Sequence, residues 1–188
     1  MIGNSFDSIN VHLSIRRFLH SNVYSKIAIP FIDGVSRNAE ELQADKYVLY
    51  HIEHRAETPG IPQRQIDLTV LVKAKFASMP DDTDGKWVTL VSDIIRTELQ
   101  DAQTDPVWPT SILLYDFMGL FSQTELYTAV TSGDITTILS TLNGVPSTIG
   151  CFWVDKVYQE KLERVDNEFV HARNYRLFQY SPDMVRGL

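Results

Sequence analysis

The stretch "HIEH", His51 to His54, holds the best set of metal-ligating side chains in the sequence. On an extended strand successive side chains point to opposite faces, so His51 and Glu53 share one face and His54 takes the other. Zinc takes three or four protein ligands, and one face here supplies two. The stretch therefore reads as sheet residues and no metal site is expected. Cys151 would be a nucleophile only with a base beside it, and His171 would serve if a terminal hairpin brought the two together. Yet Cys151 opens the aromatic run "CFWV", where a thiol commonly acts as a small buried hydrophobe. Asp81, Asp82 and Asp84 have a calcium-like flavour but lack the full loop spacing and the closing bidentate glutamate, so they read as a solvated turn before a helix. Trp87 and Trp108 would suit a ligand pocket, although a tryptophan opening an amphipathic helix is more often core. The glycines are dispersed, with no phosphate-cradling run and no nucleophile elbow. The reading is a protein that is not an enzyme, with no catalytic residue and no cofactor.

Composition narrows the classes further. The 188 residues fit one domain, 1–188. An apolar share of 44% is enough for a packed core and excludes a disordered chain. A net charge of −7 provides no basic field for phosphates, and Arg16-Arg17 sits inside an apolar-periodic segment, which argues against direct DNA or RNA binding. One cysteine excludes an internal disulfide. The start, "MIGNSFDSIN", has no basic region followed by an apolar one, so no signal peptide is expected. No run approaches the ~18 apolar residues that a membrane-spanning helix needs.

The elements that must position these residues read as follows. "INVHLSIRRFL" places Val11, Ile15, Phe18 and Leu19 at helical spacing, predicting a helix over 8–20 that ends at Ser21-Asn22. A short strand "KIAIPFI" and a turn at Asp33-Gly34 follow, then a polar loop over 35–45. From Gln65 to Phe76 every even position is apolar, the signature of a long strand with one buried and one wet face. Its partner is 47–54, and a sheet with one wet face is usually antiparallel. After the acidic turn, "WVTLVSDIIRTELQ" predicts a helix with Trp87, Leu90, Val91, Ile94 and Ile95 toward the core and Thr89, Ser92, Asp93, Arg96 and Gln100 opposite. "SILLYDF" is a further strand, and strand–helix–strand suggests a right-handed crossover if both strands share a sheet. Residues 117–150 read as an insertion or cap with two short helices, "SQTELYTAV" and "DITTILSTL". The final 151–180 splits at Val165-Asp166-Asn167 into a hairpin. The fold class is α+β, an α/β sandwich: a mixed, mainly antiparallel sheet with two main helices packed on one face, plus a partly helical insertion at 117–150.

This order of elements, carried by "VHLSIRRFL", "YVLYHIEHRAE", "RQIDLTVLVKAKF", "WVTLVSDIIRTEL" and "ARNYRLFQYSP", resembles the tail terminator, or tail-completion, proteins of long-tailed bacteriophages, the lambda-type minor tail proteins. The resemblance covers about two thirds of the chain and rests on patterns, since the family has no catalytic motif to match. It implies a structural virion protein that forms a hexameric homo-oligomeric ring, ends tail-tube polymerisation and joins the tail to the head. The implied partners are further copies of itself, the tail tube protein and the head–tail connector or stopper protein. DNA passes the lumen without sequence-specific binding, and no membrane is involved. The implied location is the head-proximal end of the virion tail, with the host cytoplasm during assembly. The 117–150 segment departs from the smallest members of that family.

Within this reading the long connection "RAETPGIPQ" is the expected interface. Pro59 and Pro62 remove conformational freedom that docking would otherwise have to freeze. Arg55, Glu57 and Arg64 flank the apolar Gly60-Ile61 tip and suit pairing with a neighbouring subunit. A solvated surface loop is the plainer interpretation of the same residues. The alternatives are a head-completion or neck adaptor protein, a small metal- or ligand-binding enzyme using His51, Glu53 and a pocket beneath 117–150, and a binding module of a host cell.

Overall fold

A computed structural model describes residues 4–27, 31–33, 44–55, 64–76, 82–101, 112–117, 120–122, 124–125 and 147–180. The chain is an α+β protein in which one face of a sheet carries two helices. Helix α1 (Asn4–Phe18) runs on into a π-helical turn (Leu19–Tyr24) and a short α2 (Ser25–Ile27). The strands are β1 (Phe31–Asp33), β2 (Lys46–His54) and β3 (Arg64–Lys75), then, after helix α3 (Asp82–Asp101), β4 (Ile112–Asp116), β5 (Ser147–Val165) and β6 (Glu168–Tyr180). The sheet order is β1-β2-β3-β6-β5-β4, antiparallel at every pairing except β1 with β2. The helix α3 connection is therefore no parallel crossover: β3 and β4 run in opposite directions with two strands between them.

Strand β3 sits centrally, and its alternation is what the core is built on. Ile66, Leu68, Val70, Val72 and Ala74 are each at most 1% exposed and join one cluster with Val11, Ile15, Leu19 and Val23 of the first helical segment and Val88, Val91, Ile95 and Leu99 of α3. Both helices therefore lie on the same face. The opposite face is not bare. Leu71 packs on Tyr47 and Leu49, and Asp67 is buried there.

Several local expectations are corrected. The first helix passes Ser21-Asn22 because the apolar stripe 11, 15, 19 continues to buried Val23, and Asn22 donates its side-chain amide to Phe18 O instead of stopping the helix. Lys26 and Ile27, assigned to a strand, are helical. Helix α3 starts at Asp82, so part of the acidic turn forms its first turn, where carboxylates suit the positive end of the helix. Its buried face is also rotated: Val88, Val91, Ile95 and Leu99 point inward, Leu90 is 60% exposed, and Ser92 is buried. Strand β5 begins at Ser147, four residues inside the segment read as insertion.

The β2–β3 pairing and the hairpin turn at Asp166-Asn167 fall where the sequence reading put them, with Asp166 in the left-handed region (φ 50°) that aspartate tolerates. Of the two short helices over 117–150, the described part is the start of the first. Ser122 Oγ accepts from Glu125 N (3.3 Å) while Glu125 Oε2 accepts from Ser122 N (2.8 Å), a reciprocal helix-start cap. The polar loop over 35–43 and the second short helix lie outside the described residues.

Helix α1 also seals the β4 edge. Asn10 Oδ1 accepts from Phe117 N (2.9 Å), and Ser14 Oγ accepts from Tyr115 N (3.0 Å). Four helical residues rise about 6 Å and two strand residues about 6.8 Å, so each helical repeat meets the next outward amide of the strand. Replacing Leu68 by Ala in this core is expected to lower unfolding stability by about 2–5 kcal/mol, whereas Leu71→Ala on the opposite face costs roughly half that or less. Urea melts read both, and equal losses would contradict a one-sided core.

Candidate functional site

The junction between β2 and β3 holds the residues singled out as an interface. The strand ladder closes with Arg55 N donating to Gln65 O (3.1 Å). Asp67, 3% exposed, forms an ion pair with Arg55 across the β2–β3 junction, while Arg176 of β6 stands opposite Asp67 in the register. With the Gln65 amide turned by 180°, its oxygen faces the two guanidinium groups and accepts from Arg176 Nε (3.0 Å) and Arg55 Nε (3.2 Å). Arg176 lies over the Tyr158 ring, 5.4 Å from its centre. The bond to Asp67 and its charge hold Arg55 more firmly protonated than usual. Buried carboxylates require such partners. The connection thus leaves the sheet from a base tied on three strands. Arg64 opens β3, and Glu57, Pro59, Gly60, Ile61 and Pro62 lie outside the described residues.

A second polar cluster lies beneath α3, and sequence reasoning missed it. On β6 the residues facing the helices are Phe169, His171, Arg173, Tyr175, Leu177 and Gln179, so two ionisable side chains stand in core positions opposite Val72 and Val70. Arg173, 2% exposed, donates from Nη2 to Asp93 Oδ1 of α3 (2.5 Å) and to Glu160 Oε1 of β5 (2.6 Å). His171 Nδ1 lies 2.7 Å from Ser92 Oγ, and its Nε2 lies 3.2 Å from Glu160 Oε1. A neutral ring that donates from Nε2 to Glu160 and accepts the Ser92 hydroxyl proton satisfies both contacts. Burial, with the nearby Arg173 charge, pushes the His171 pKa below its ordinary value. The bond from Arg173 lowers both Asp93 and Glu160. Burial opposes the charge of Arg173, but its bonds to Glu160 and Asp93 outweigh it. Tyr175, on the same face, is pushed up to about 12 by burial.

Strand β5 reaches this cluster by breaking its own alternation. Register shifts at Val154/Lys156 and Val157/Gln159 place Phe152, Val154, Val157 and Glu160 opposite the helix-facing residues of β6. Unbroken alternation from Phe152 would have put Lys156 and Tyr158 there instead. The two bulges therefore keep a lysine out of the core.

The candidates for enzymatic chemistry are dispersed. Cys151 pairs with Tyr180 and His171 with Leu162, nine residues apart along β6, or about 30 Å at ~3.4 Å per residue. His51 and Glu53 face together away from the helices, and both are exposed, as is His54. Among the described residues no three His, Cys, Asp or Glu side chains gather closely enough to hold a metal ion. Asp84 pairs with Lys46 (3.4 Å), whose ammonium also lies over the half-buried Trp87 ring. Asp81 and Trp108 lie outside the described residues. No described helix is long and apolar enough to cross a membrane.

No protein-family model matches the chain, and no curated protein sequence is significantly similar to it.

The cluster beneath α3 predicts a pH response. The folded His171 pKa is depressed, so below about pH 6.5 the unfolded chain binds a proton that the native ring resists, and stability falls as pH drops. Asp93 and Glu160 add stability that is present above pH ~4 and lost as pH falls through their lower folded values. Thermal melts between pH 7.5 and 5 are expected to show the histidine step. His171→Gln should flatten it and leave the acid-side loss in place.

Proposed function

We propose that the chain is a structural virion protein that forms a ring at the end of a phage tail tube, stops tube polymerisation and joins the tail to the head connector. The observation that carries this reading is the β2–β3 junction. Its connection bears two prolines and departs from a base fixed by the buried Asp67, the Arg55 rung and Gln65. A segment already restricted in this way loses little entropy when a neighbour captures it. The one-faced helix layer, the strand pair with its long connection, the second helix and the closing hairpin follow the order of elements on which the tail-terminator resemblance rests. The net charge of −7 suits a lumen through which DNA slides without being held.

In this role the partners are other copies of the chain in a hexameric ring, the tail tube protein below and the connector or stopper protein above. The protein resides at the head-proximal end of the tail, after assembly in the host cytoplasm. No catalytic group is required of it.

Charged replacements at the tip of the connection, Gly60→Asp with Ile61→Asp, test this directly. Surface changes of this kind move stability by about 0.5 kcal/mol or less, so thermal unfolding is expected to stay near that of the parent. A phage lacking its own copy of the gene and supplied with the variant should accumulate unjoined heads and tails. Normal yields of joined particles would show that the connection is an ordinary solvated loop.

A further inference from the structure

We propose that the groove between the C-terminal end of α1 and strand β4 binds the carboxylate terminus of a partner polypeptide whose last side chain is apolar. The groove has a volume of about 390 Å³, within the usual range of ligand sites. Its rim includes Ser21 and Asn22 of the π-helical turn, a widened helical form that is frequent at functional positions. Leu113, 43% exposed, and Phe18 supply apolar walls. Arg17 is the one charged residue described in the lining, and its guanidinium lies 4.5 Å from the centre of the Tyr115 ring. Among the described residues no carboxylate pairs with it, and its Nη1, itself buried from solvent, has no hydrogen-bond partner.

The ladder between α1 and β4 decides what kind of ligand fits. Outward amides of β4 recur every second residue, and those of Phe117 and Tyr115 are taken by Asn10 and Ser14. Continuing that alternation past the register shift between Leu114 and Tyr115 makes Leu113 the next outward amide. The next helical position, four residues after Ser14, is Phe18, whose ring accepts no such bond. An added peptide can therefore meet the edge at Leu113 but cannot continue along it, because α1 occupies the edge from Tyr115 onward. A chain that must stop there fits best if its end carries the negative charge that Arg17 lacks. An amino terminus would bring a like charge to Arg17, and an internal acidic segment would have to run on through α1. A free carboxylate answers both the guanidinium and the Leu113 amide, a mode of terminus capture used elsewhere, while the last side chain lies between Phe18 and Leu113. The chemistry of the groove is independent of whether copies of the chain form a ring.

The test uses an N-acetylated tetrapeptide ending in Val-Leu with a free carboxylate, and the same peptide as its C-terminal amide, titrated into the full chain by amide chemical-shift mapping. The free acid is expected to shift Leu113, Tyr115, Ser21 and Asn22, and to bind at least about tenfold more tightly than the amide, as a charge-assisted contact requires. Arg17→Gln should lose a similar factor with its remaining spectrum unchanged. Leu113→Asp, at a half-exposed site, should likewise abolish the shifts and serves if Arg17→Gln fails to fold. No shifts at millimolar free acid, equal binding of acid and amide, or full binding by a folded variant would each overturn the proposal.

Discussion

The row Ile66, Leu68, Val70, Val72 and Ala74 is the constraint on which the rest of the structure depends. Strand β3 pairs along its length with β2 on one side and β6 on the other, so the sheet holds this row in position independently of the helices. Burying a side chain of this kind contributes roughly 1.5–3 kcal/mol, and both helices must lie where they can cover it. The same alternation has one consequence on the neighbouring strand. The core positions of β6 include His171 and Arg173, which would be costly beneath a helix unless paired. Ser92, Asp93 and Glu160 provide that pairing, and the two that belong to α3, Ser92 and Asp93, set the rotation of the helix about its axis.

The same sheet has edges, and each is handled differently. Strand β1 has three residues, too few to template much pairing. Strand β4 has its outward amides bonded by α1 up to Tyr115. Beyond Phe152, β5 pairs with β6 on one side only among the described residues, and its two bulges and lysines at 156 and 161 are the features that discourage an accidental partner. Among the described residues, the features that suit a specific contact are the charged base from which the connection after β2 departs and the groove past the last α1–β4 bond. An assembly role for the first and a terminus-binding role for the second ask different things of different surfaces.

How much of this was legible in the sequence depended on whether one strand or helix face carried the signal alone. The β3 alternation was plain because both its neighbours and its covering helices demand apolar residues on one face. The β5–β6 turn was visible because Asp-Asn interrupts two long aromatic runs. The face of α3 was misjudged, since Leu90 looks like core and Ser92 like solvent until His171 is known to lie underneath. The parity of β5 was hidden as well: bulges at its middle are set by what β6 presents, and no local pattern announces them. Asn10 and Ser14, four residues apart beside an apolar stripe, offered a faint sign that the first helix had backbone amides to satisfy. Arg55 and Arg64 were picked out as flanks of the connection, but the buried carboxylate that ties the base, Asp67, was read as one more wet-face residue.

The central claim is that this sheet-and-helix unit is completed by copies of itself at the end of a tube. Electron microscopy of purified tail tubes incubated with the chain, together with light scattering of the chain alone, measures that claim most directly. The account predicts a six-membered ring capping one end of each tube, whether the free chain is already a hexamer or assembles only on contact. A chain that stays monomeric at every concentration and leaves tube ends bare and still able to elongate would contradict it.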